Sequence, residues 1–200
     1  KIVCLGRNYL DHIRELNNEV PDQPVIFCKP GSSLLKNDGR IVIPAYSSDC
    51  HHELELAILI GKRGKNIPLA DSMAHICGYG VALDLTLRDV QTQQKAKGLP
   101  WEIAKGFDTS CPLSDFVPAS QITNPDNLNL SLKVNEQLRQ QGNTNMMMRS
   151  VAEIVSEFSE FYTLDEGDVI LTGTPAGVGP IVSGDILEGV IEQVGSLRVS

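Results

Sequence analysis

The sequence predicts an α+β fold made mainly of short strands, with few helices. Short segments rich in valine, isoleucine and leucine recur along the chain, and glycine, proline or polar turns bound most of them, as is typical of strands. Few segments show helical periodicity. Because strands and helices do not alternate regularly, the pattern favours a mixed sheet over a doubly wound parallel one.

The predicted strands share short apolar runs, most of them too short for a stable helix. In chain order they are Ile2–Leu5, Val25–Cys28, Arg40–Ile43, Glu53–Ile60, Ile76–Leu83, Asn129–Val134, Asp168–Thr172, Asp185–Ile191 and Ser196–Val199.

The predicted helices are Tyr9–Leu16, Thr86–Lys97 and Val151–Phe158. The first carries its apolar residues on one face, and the second is mostly polar. The third repeats apolar residues at the i, i+3, i+4, i+7 spacing of a helix with one buried side.

Composition limits the size and the class of the protein. The chain has 200 residues, of which 42% are hydrophobic, and this is enough for one substantial core. We therefore expect a single domain over residues 1–200. No apolar run approaches the roughly 18 residues that span a bilayer, and the chain does not open with a secretory signal pattern, so we expect no membrane partner.

Charge and cysteine usage exclude further classes. The net charge of −8 and the lack of a long basic stripe argue against a nucleic-acid partner. The cysteines are five in number, and none is in a C-x-x-C spacing. Reduced thiols are favoured over disulfides or a zinc site, which predicts a cytoplasmic protein.

Two carboxylates in an otherwise apolar strand are the strongest chemical signal. Glu53 and Glu55 lie two residues apart, so their side chains share one face of the strand. Adjacent buried anions need a compensating cation, and all-oxygen donors favour magnesium, manganese or calcium over zinc. Asp84, at the end of the next apolar run, would be a third ligand. The alternatives are a polar strand face in water for the pair and a helix N-cap for Asp84.

A second candidate cluster lies near the start of the chain. His12 and Glu15 are at i, i+3, so on a helix Glu15 could orient the imidazole and stabilise its charged form. A His prepared in this way can take a proton from water, and the segment of residues 7–20 would then be a mobile lid. The alternative is an ordinary solvated pair on an amphipathic helix.

Three other segments add cations and turns. Lys105 lies between apolar residues, where a buried ammonium requires an anion partner and a snorkelling surface lysine is the alternative. Lys29 precedes a Pro-Gly turn, and either a structural salt bridge or a ligand contact would explain it. The glycine-rich loop from Thr172 to Gly179 could bind a carboxylate through its N–H groups, but it lacks the G-K-[ST] of a nucleotide P-loop.

Motifs spread over most of the chain carry a family resemblance. They are G-R-N-Y-x-x-H-x-x-E, K-P-x-S, H-x-E-x-E-L-A-x-x-I-G, G-Y-x-x-x-x-D-x-x-x-R-D, G-x-P-W-x-x-A-K-x-F-D and G-D-V-I-x-T-G-T-P-x-G-V-G. In order and spacing this set resembles the fumarylacetoacetate hydrolase family, and within it the short acylpyruvase and oxaloacetate-decarboxylase-like branch. One departure is Asn135-Glu136, where many relatives have an Asn-Gly turn.

The resemblance implies a mixed β-sandwich roll of the family's C-terminal domain type, a homodimer and a magnesium or manganese site. It implies that Glu53, Glu55 and Asp84 are metal ligands. It also implies catalytic roles for His12 and Glu15, as a dyad on the lid, and for Lys105, as a substrate-facing cation. The implied substrate-binding residues are Arg7, Lys29, Arg88, Gln91 and Thr174.

The function that the resemblance implies is a metal-dependent hydrolase. It would cleave the C–C bond of acylpyruvate-type 2,4-dioxo acids, with a metal-stabilised pyruvate enolate as the leaving group. The enzymatic alternatives are an isomerase, tautomerase or decarboxylase of related 2-oxo diacids, such as a 2-hydroxyhepta-2,4-diene-1,7-dioate isomerase or an oxaloacetate decarboxylase. A catalytically silent metabolite-binding protein is the remaining alternative, but it would not need the oriented base that His12 and Glu15 suggest.

Overall fold

Strands dominate the computed structural model, which describes residues 1–200. They are β1 (Ile2–Gly6), β2 (Val25–Lys29), β3 (Leu34–Lys36), β4 (Cys50–His52), β5 (Leu54–Ile60), β6 (Ile76–Leu83), β7 (Thr86–Leu87), β8 (Cys111–Leu113), β9 (Val117–Pro118), β10 (Asn129–Val134), β11 (Gln137–Asn143), β12 (Val169–Leu171), β13 (Gly179–Ile181), β14 (Leu187–Ile191) and β15 (Gly195–Val199).

Four α-helices complete the fold, together with short 3₁₀ turns. They are α1 (Leu10–Glu15), α2 (Arg88–Ala96), α3 (Glu102–Lys105) and α4 (Val151–Phe161), and the 3₁₀ turns are Gly31–Ser33, Leu69–His75, Ala119–Gln121 and Thr144–Met146. No helix is long and apolar enough to cross a membrane.

The strands form three sheets. The largest has eight strands in the order β2-β1-β12-β5-β6-β8-β3, with β9 also paired to β6. It is mixed, because β1 and β12 are parallel whereas β5 is antiparallel to both β12 and β6. An antiparallel sheet, β11-β10-β14-β15, and a small sheet, β13-β4-β7, accompany it. The predicted α+β class with a mixed sheet and few helices is confirmed.

The main core lies between the large sheet, the antiparallel sheet and α4. It contains 32 buried hydrophobic residues, more than half of them from β5, β6, β10, β14, β15 and α4. The side of α4 that enters it carries Val151, Ile154, Val155 and Phe158, the apolar face that the sequence predicts. This core holds β5 and β6 rigidly, and both strands lead into the site described below.

Some predicted elements differ from the structure. Arg40–Ile43 is not a strand: Ile41 and Val42 each donate one hydrogen bond, to the Ser200 carbonyl and the Thr109 hydroxyl, and no ladder forms. The predicted helix Thr86–Lys97 begins later, because its first two residues form β7. The polar strand β11 is missing from the prediction, since it lacks apolar alternation and exists only by pairing with β10.

The turn between β10 and β11 is formed by Asn135 and Glu136, at the place where many relatives have an Asn-Gly pair. Asn135 and Glu136 have φ values of 49° and 66°, both left-handed, as a two-residue hairpin turn requires. Asn135 tolerates this conformation and its side chain donates to Asp185 at 2.7 Å. Glu136 has a Cβ in a conformation that favours glycine, so this turn stores backbone strain.

Candidate active site

Three carboxylates meet where β5 begins and β6 ends. Glu53 directly precedes β5, Glu55 is its second residue, and Asp84 directly follows β6. The antiparallel pairing brings them together, since the Asp84 N–H donates to the Glu53 carbonyl at 2.8 Å. Ligand oxygens of the three side chains lie within 4.8 Å of one another. The acidic cluster that the sequence predicts on two neighbouring strands is confirmed.

All three acids are buried, so the alternative of a polar strand face in water is excluded. Burial and the carboxylates of Asp84 and Glu53 raise the pKa of Glu55 well above its usual range. Burial by itself would also raise the pKa of Glu53, but Lys105 and Arg88 hold it well below that range. Neighbouring cations therefore neutralise the charge of Glu53, whereas none neutralises that of Glu55.

Lys105, the last residue of α3, supplies the central positive charge. Its Nζ donates to Glu53 Oε2 at 2.8 Å and to Asp84 Oδ2 at 2.5 Å. Burial would lower the pKa of this ammonium, but the two carboxylates raise it. Arg88, the first residue of α2, donates to Glu53 Oε1 at 2.5 Å and to Gln91 Oε1 at 2.9 Å. The structure thus supports a buried Lys105 ammonium with carboxylate partners over a snorkelling surface lysine.

Lys29 lies behind the acids and does not line the pocket. Its Nζ donates to Ser110 O and Oγ at 3.0 and 3.2 Å, to Leu85 O at 3.4 Å and to the Lys105 carbonyl. It also lies 2.8 Å from Asp84 Oδ1. Because an ammonium has three hydrogens, these protein acceptors saturate it. The structure therefore favours the structural salt bridge over a ligand contact.

The three acids fit a divalent cation. Carboxylates alone form the all-oxygen donor set that magnesium and manganese prefer. Asp84 Oδ1 is buried and accepts no well-directed hydrogen bond, although the Lys29 ammonium is near. Glu55 keeps its raised pKa beside two other carboxylates. A dication held by Glu53, Glu55 and Asp84 would relieve both conditions.

These groups line one pocket together with residues of the N-terminal segment. The predicted site residues in its wall are Arg7, His12, Glu53, Glu55, Asp84, Arg88, Gln91, Lys105 and Thr174. The pocket is partly open, and the volume inside it is about 30 Å³, which is room for roughly two or three water molecules. A four-carbon acid would need a side chain or the segment beside the pocket to move.

The helix α1 brings His12 to the pocket and Glu15 behind it. Glu15 Oε2 lies 3.4 Å from His12 Nδ1, and its Oε1 accepts a hydrogen bond from the Gly177 N–H at 3.0 Å. Glu15 does not line the pocket. Its position is that of a group that orients His12 and fastens α1 to the glycine-rich loop.

Burial dominates the protonation state of His12. Burial lowers the pKa of His12 and outweighs the carboxylates of Glu53 and Glu15, which act to raise it. Glu15 thus favours the charged imidazole in the expected direction, but desolvation has the larger effect. His12 is neutral at neutral pH. If Nδ1 carries the hydrogen toward Glu15, Nε2 is the free acceptor.

The loop after β12 forms the wall of the pocket beside Glu55. The Gly173 N–H donates to Glu55 Oε2 at 2.7 Å, and Thr174 Oγ1 donates to the Leu54 carbonyl at 2.8 Å. Gly173 has a φ of +96°, and a Cβ there would come 2.8 Å from Asn8 Cβ. Glycine is required at this position, because a side chain would push the loop away from Glu55.

Asn8 is a positioning residue that sequence reasoning did not single out. It is fully buried, its Nδ2 donates to the carbonyls of Thr172 and Arg149 at 2.9 and 3.2 Å, and its Oδ1 accepts from the Arg149 N–H at 2.9 Å. It thus ties the start of the lid segment to the loop that holds Glu55. The sequence signal that could have identified Asn8 is its place in the G-R-N-Y motif.

Gln140 on β11 is the second positioning residue that the sequence did not indicate. Its Oε1 accepts from the Leu54 N–H at 3.0 Å, and its Nε2 donates to Thr174 Oγ1 at 2.8 Å and to the Pro175 carbonyl at 2.9 Å. The amide is buried and fully used. No signal in the polar segment around Gln140 distinguishes it from its exposed neighbours.

Comparison with protein families identifies the family of the chain. The model of the fumarylacetoacetate (FAA) hydrolase C-terminal domain matches the chain over residues 1–200. The chain belongs to the fumarylacetoacetate hydrolase family. The family resemblance read from the motifs is confirmed, and so is the fold type that it implied.

Relatives within the fumarylacetoacetate hydrolase family carry more than one activity in their names. The mitochondrial oxaloacetate tautomerase FAHD1 of Mus musculus is 50% identical over 197 residues, 98% of this chain and 89% of the mouse protein. The mitochondrial oxaloacetate decarboxylase of Dictyostelium discoideum is 49% identical over 189 residues, 94% of this chain and 87% of that protein.

A solved structure of the family is similar over nearly the whole chain. It is the fumarylpyruvate hydrolase of Pseudomonas aeruginosa in complex with Mn²⁺ and pyruvate, with a TM-score of 0.95 and 39% identity. The match covers 99% of this chain and 87% of the hydrolase. A metal-binding enzyme of the family thus has the same fold as this chain.

Proposed function

We propose that this protein is a divalent-metal-dependent tautomerase that interconverts the keto and enol forms of oxaloacetate. The observation that carries the proposal is a neutral His12 in the same pocket as the buried acids Glu53, Glu55 and Asp84. The name of the mouse relative, at 50% identity over 98% of the chain, supports this reaction over the acylpyruvate hydrolysis expected first.

In this proposal the 2-oxo acid end of the substrate faces the three acids. Magnesium or manganese held by Glu53, Glu55 and Asp84 would polarise the 2-oxo group. The Lys105 ammonium offsets negative charge that develops on the 2-oxo oxygen. Arg88 is the other cation on this side of the pocket.

Three further predicted residues bind and orient the substrate. Gln91 is held by Arg88 at 2.9 Å and presents its amide to the pocket. Thr174 lies in the loop that also fixes Glu55. Arg7 lies in the lid segment. Lys29 keeps only an indirect role, because it holds Asp84 from behind.

His12 moves the proton in the proposed reaction. Its neutral imidazole accepts a proton from C3 of the keto form, the C–H electron pair forms the C2=C3 bond, and the carbonyl electrons move to the 2-oxo oxygen. The oxygen takes a proton from water, and the imidazolium returns its proton to water. No atom is added or lost overall. Glu15 holds the imidazole in place and balances the charge that His12 acquires.

Decarboxylation of oxaloacetate is the second candidate, because the Dictyostelium relative is named for it. It uses the same metal and the same stabilisation of negative charge on the 2-oxo oxygen, but breaks the C3–C4 bond instead of a C3–H bond. Acylpyruvate hydrolysis is the third, supported by the name of the Pseudomonas structure. It requires a water that His12 would activate.

Other expectations from the sequence stay proposals. Residues 7–20 act as a mobile lid over a single catalytic domain of residues 1–200, in line with the small volume of about 30 Å³ inside the pocket. The resemblance supports a homodimer, which sedimentation would test. A cytoplasmic location stays a prediction, since the mouse and Dictyostelium relatives are mitochondrial by name.

The reaction is tested by following two products at once. Purified protein with magnesium is added to an enol-rich oxaloacetate solution, enol loss is read by ultraviolet absorbance, and pyruvate is read by coupling to lactate dehydrogenase. We expect enol loss to accelerate without matching pyruvate. Pyruvate formed as fast as the enol disappears would replace the proposal with decarboxylation, and cleavage of acylpyruvates alone would replace it with hydrolysis.

The role of His12 is tested by a matched pair of variants. His12→Ala should lower turnover by about 10²–10⁴-fold while magnesium binding, measured by calorimetry, is retained. Asp11→Ala is the control, because Asp11 is an exposed neighbour that pairs only with Arg14. Turnover of His12→Ala close to that of the control would contradict the role of His12 as the base.

A further inference from the structure

Four cationic side chains line the pocket, and only two of them are neutralised by the protein. They are Arg7, Arg88, Lys95 and Lys105. Arg88 pairs with Glu53, and Lys105 pairs with Glu53 and Asp84. Arg7 and Lys95 form no ion pair with any carboxylate of the chain.

Arg7 has only uncharged partners. Its guanidinium donates to Asn18 Oδ1 at 3.2 Å and to the Glu19 carbonyl at 3.4 Å. Its Nε is buried and has no hydrogen-bond partner. A buried guanidinium nitrogen without an acceptor is costly unless an anion or water satisfies it, so this side chain is prepared for a ligand.

Lys95 is placed by an aromatic ring, and it makes no hydrogen bond. Its Nζ lies 5.0 Å from the centroid of the Trp101 ring, and the Lys105 Nζ lies at the same distance, 5.0 Å, from Phe27. The two rings are neighbours, with centroids 6.0 Å apart. Each ring of the pair therefore lies beside one ammonium, and Lys95 lines the same pocket as the three acids.

The electrostatic surroundings agree with this arrangement. Partial burial and then the charge of Arg7, followed by those of Arg88 and Lys105, lower the pKa of Lys95. Among the charged groups, Arg7 has the largest effect on Lys95. The two unpaired cations therefore act on each other, and an anion between them would stabilise both.

Another explanation for Lys95 is the C-terminus of α2, where a cation is favourable. That explanation requires only a solvated side chain, and Lys97 at the end of the helix, exposed like Lys95, meets it equally well. It does not account for the position of Lys95 over Trp101, in the wall of the same pocket as Arg7.

We propose that Lys95, together with Arg7, binds the far carboxylate of a 2-oxo diacid whose 2-oxo acid end lies at the three acids. This inference rests on the proposed function for the diacid substrate. The pocket then has two separate anion-binding ends, and a monoacid fills only one of them. Lys95 is thus a specificity residue that selects dicarboxylates over monocarboxylates that lack the far carboxylate.

The test uses two ligands that differ in one carboxylate. Malate and lactate share a 2-hydroxy acid end, but only malate has a far carboxylate. Their binding to the magnesium-loaded protein is measured by calorimetry, or by competition where binding is weak. The variants are Lys95→Met, which keeps the apolar stem, Lys95→Arg, which keeps the charge, and Lys97→Met as the control on the same helix.

We expect the wild type to bind malate more tightly than lactate. Lys95→Met should weaken malate binding by about tenfold, the size of one charge-assisted hydrogen bond, and leave lactate binding unchanged. Lys95→Arg should retain most of the preference, and Lys97→Met all of it. With oxaloacetate as substrate, Lys95→Met should raise KM and change kcat little.

Different results would contradict the role of Lys95 and the proposed function. Equal malate binding by Lys95→Met and wild type, equal losses for both ligands, or no malate preference in the wild type would overturn the role of Lys95, even if oxaloacetate tautomerisation is found. A selective loss of malate binding would uphold it, even if the protein proves to catalyse decarboxylation or hydrolysis instead.

Discussion

The carboxylate of Glu15 accepts a hydrogen bond from the backbone N–H of Gly177 at 3.0 Å, across 162 residues of sequence. This bond joins α1 to the glycine-rich loop that also contacts Glu55. Gly177 has a φ of +98°, and a Cβ there would come 2.4 Å from the Arg139 carbonyl oxygen, so only glycine allows the loop to approach. In the proposed lid of residues 7–20, this exposed bond fastens the end of α1, and the buried Asn8 fastens the start.

Glu15→Ala should open the lid without unfolding the protein. The variant loses the bond to Gly177 and the contact with His12, so we expect faster hydrogen exchange at the amides of residues 10–15 and little change elsewhere. Arg14→Ala is the control, because Arg14 is exposed and pairs only with Asp11. Exchange as slow as in the wild type would show that the bond does not hold the lid.

Glu55→Gln should stabilise the metal-free protein and remove its stabilisation by metal. Because the pKa of Glu55 is raised by burial and by two carboxylates, the neutral amide should increase the free energy of unfolding of the metal-free protein at pH 7 by about 1 kcal/mol or more. It should also abolish the stabilisation by magnesium seen in thermal melts. Asp84→Asn is the contrast, since it leaves two buried ammonium groups short of a partner and should cost about 3–5 kcal/mol. Destabilisation by both variants would contradict this assignment of charge.

Glu136→Gly should stabilise the β10–β11 hairpin. Glu136 has a φ of 66°, and glycine removes the clash of its Cβ at the cost of greater freedom in the unfolded chain. We expect the free energy of unfolding to rise by about 0.5–1 kcal/mol, measured by urea denaturation. Glu136→Ala keeps the strained Cβ and removes the charge, so a gain as large in that variant would assign the effect to electrostatics.

The N-terminus of α4 should show a pH-dependent contribution to stability. Ser150 and Glu153 form a capping box, so Ser150→Ala should cost about 1 kcal/mol. Hydrogen bonds from the Ser150 N–H and hydroxyl lower the pKa of Glu153. Its contribution is therefore present above the unfolded pKa of about 4.3 and is lost as the pH falls through the lower folded pKa. The stability difference between wild type and Glu153→Gln should shrink below about pH 4, and a difference that grows there would contradict the capping box.

The sequence by itself determined the features that depend on local pattern. Alternation in β5 put Glu53 and Glu55 on one face, helical spacing predicted the buried side of α4, and the ordered motifs indicated the family. These signals lie within short stretches of chain, where the geometry of a strand or helix fixes which side chains share a side. They were sufficient for the fold class and for the acidic cluster.

Only the tertiary structure decided the features that depend on which elements meet. It showed Lys29 saturated behind Asp84, Lys95 and Lys105 beside two neighbouring aromatic rings, and Gln140 on a polar strand as a support of the pocket. It also showed that desolvation outweighs Glu15 in setting the pKa of His12, because burial is set by everything packed around a side chain and not by its neighbour at i+3. Desolvation and long-range hydrogen bonds arise from contacts between distant segments, and local periodicity carries no record of them.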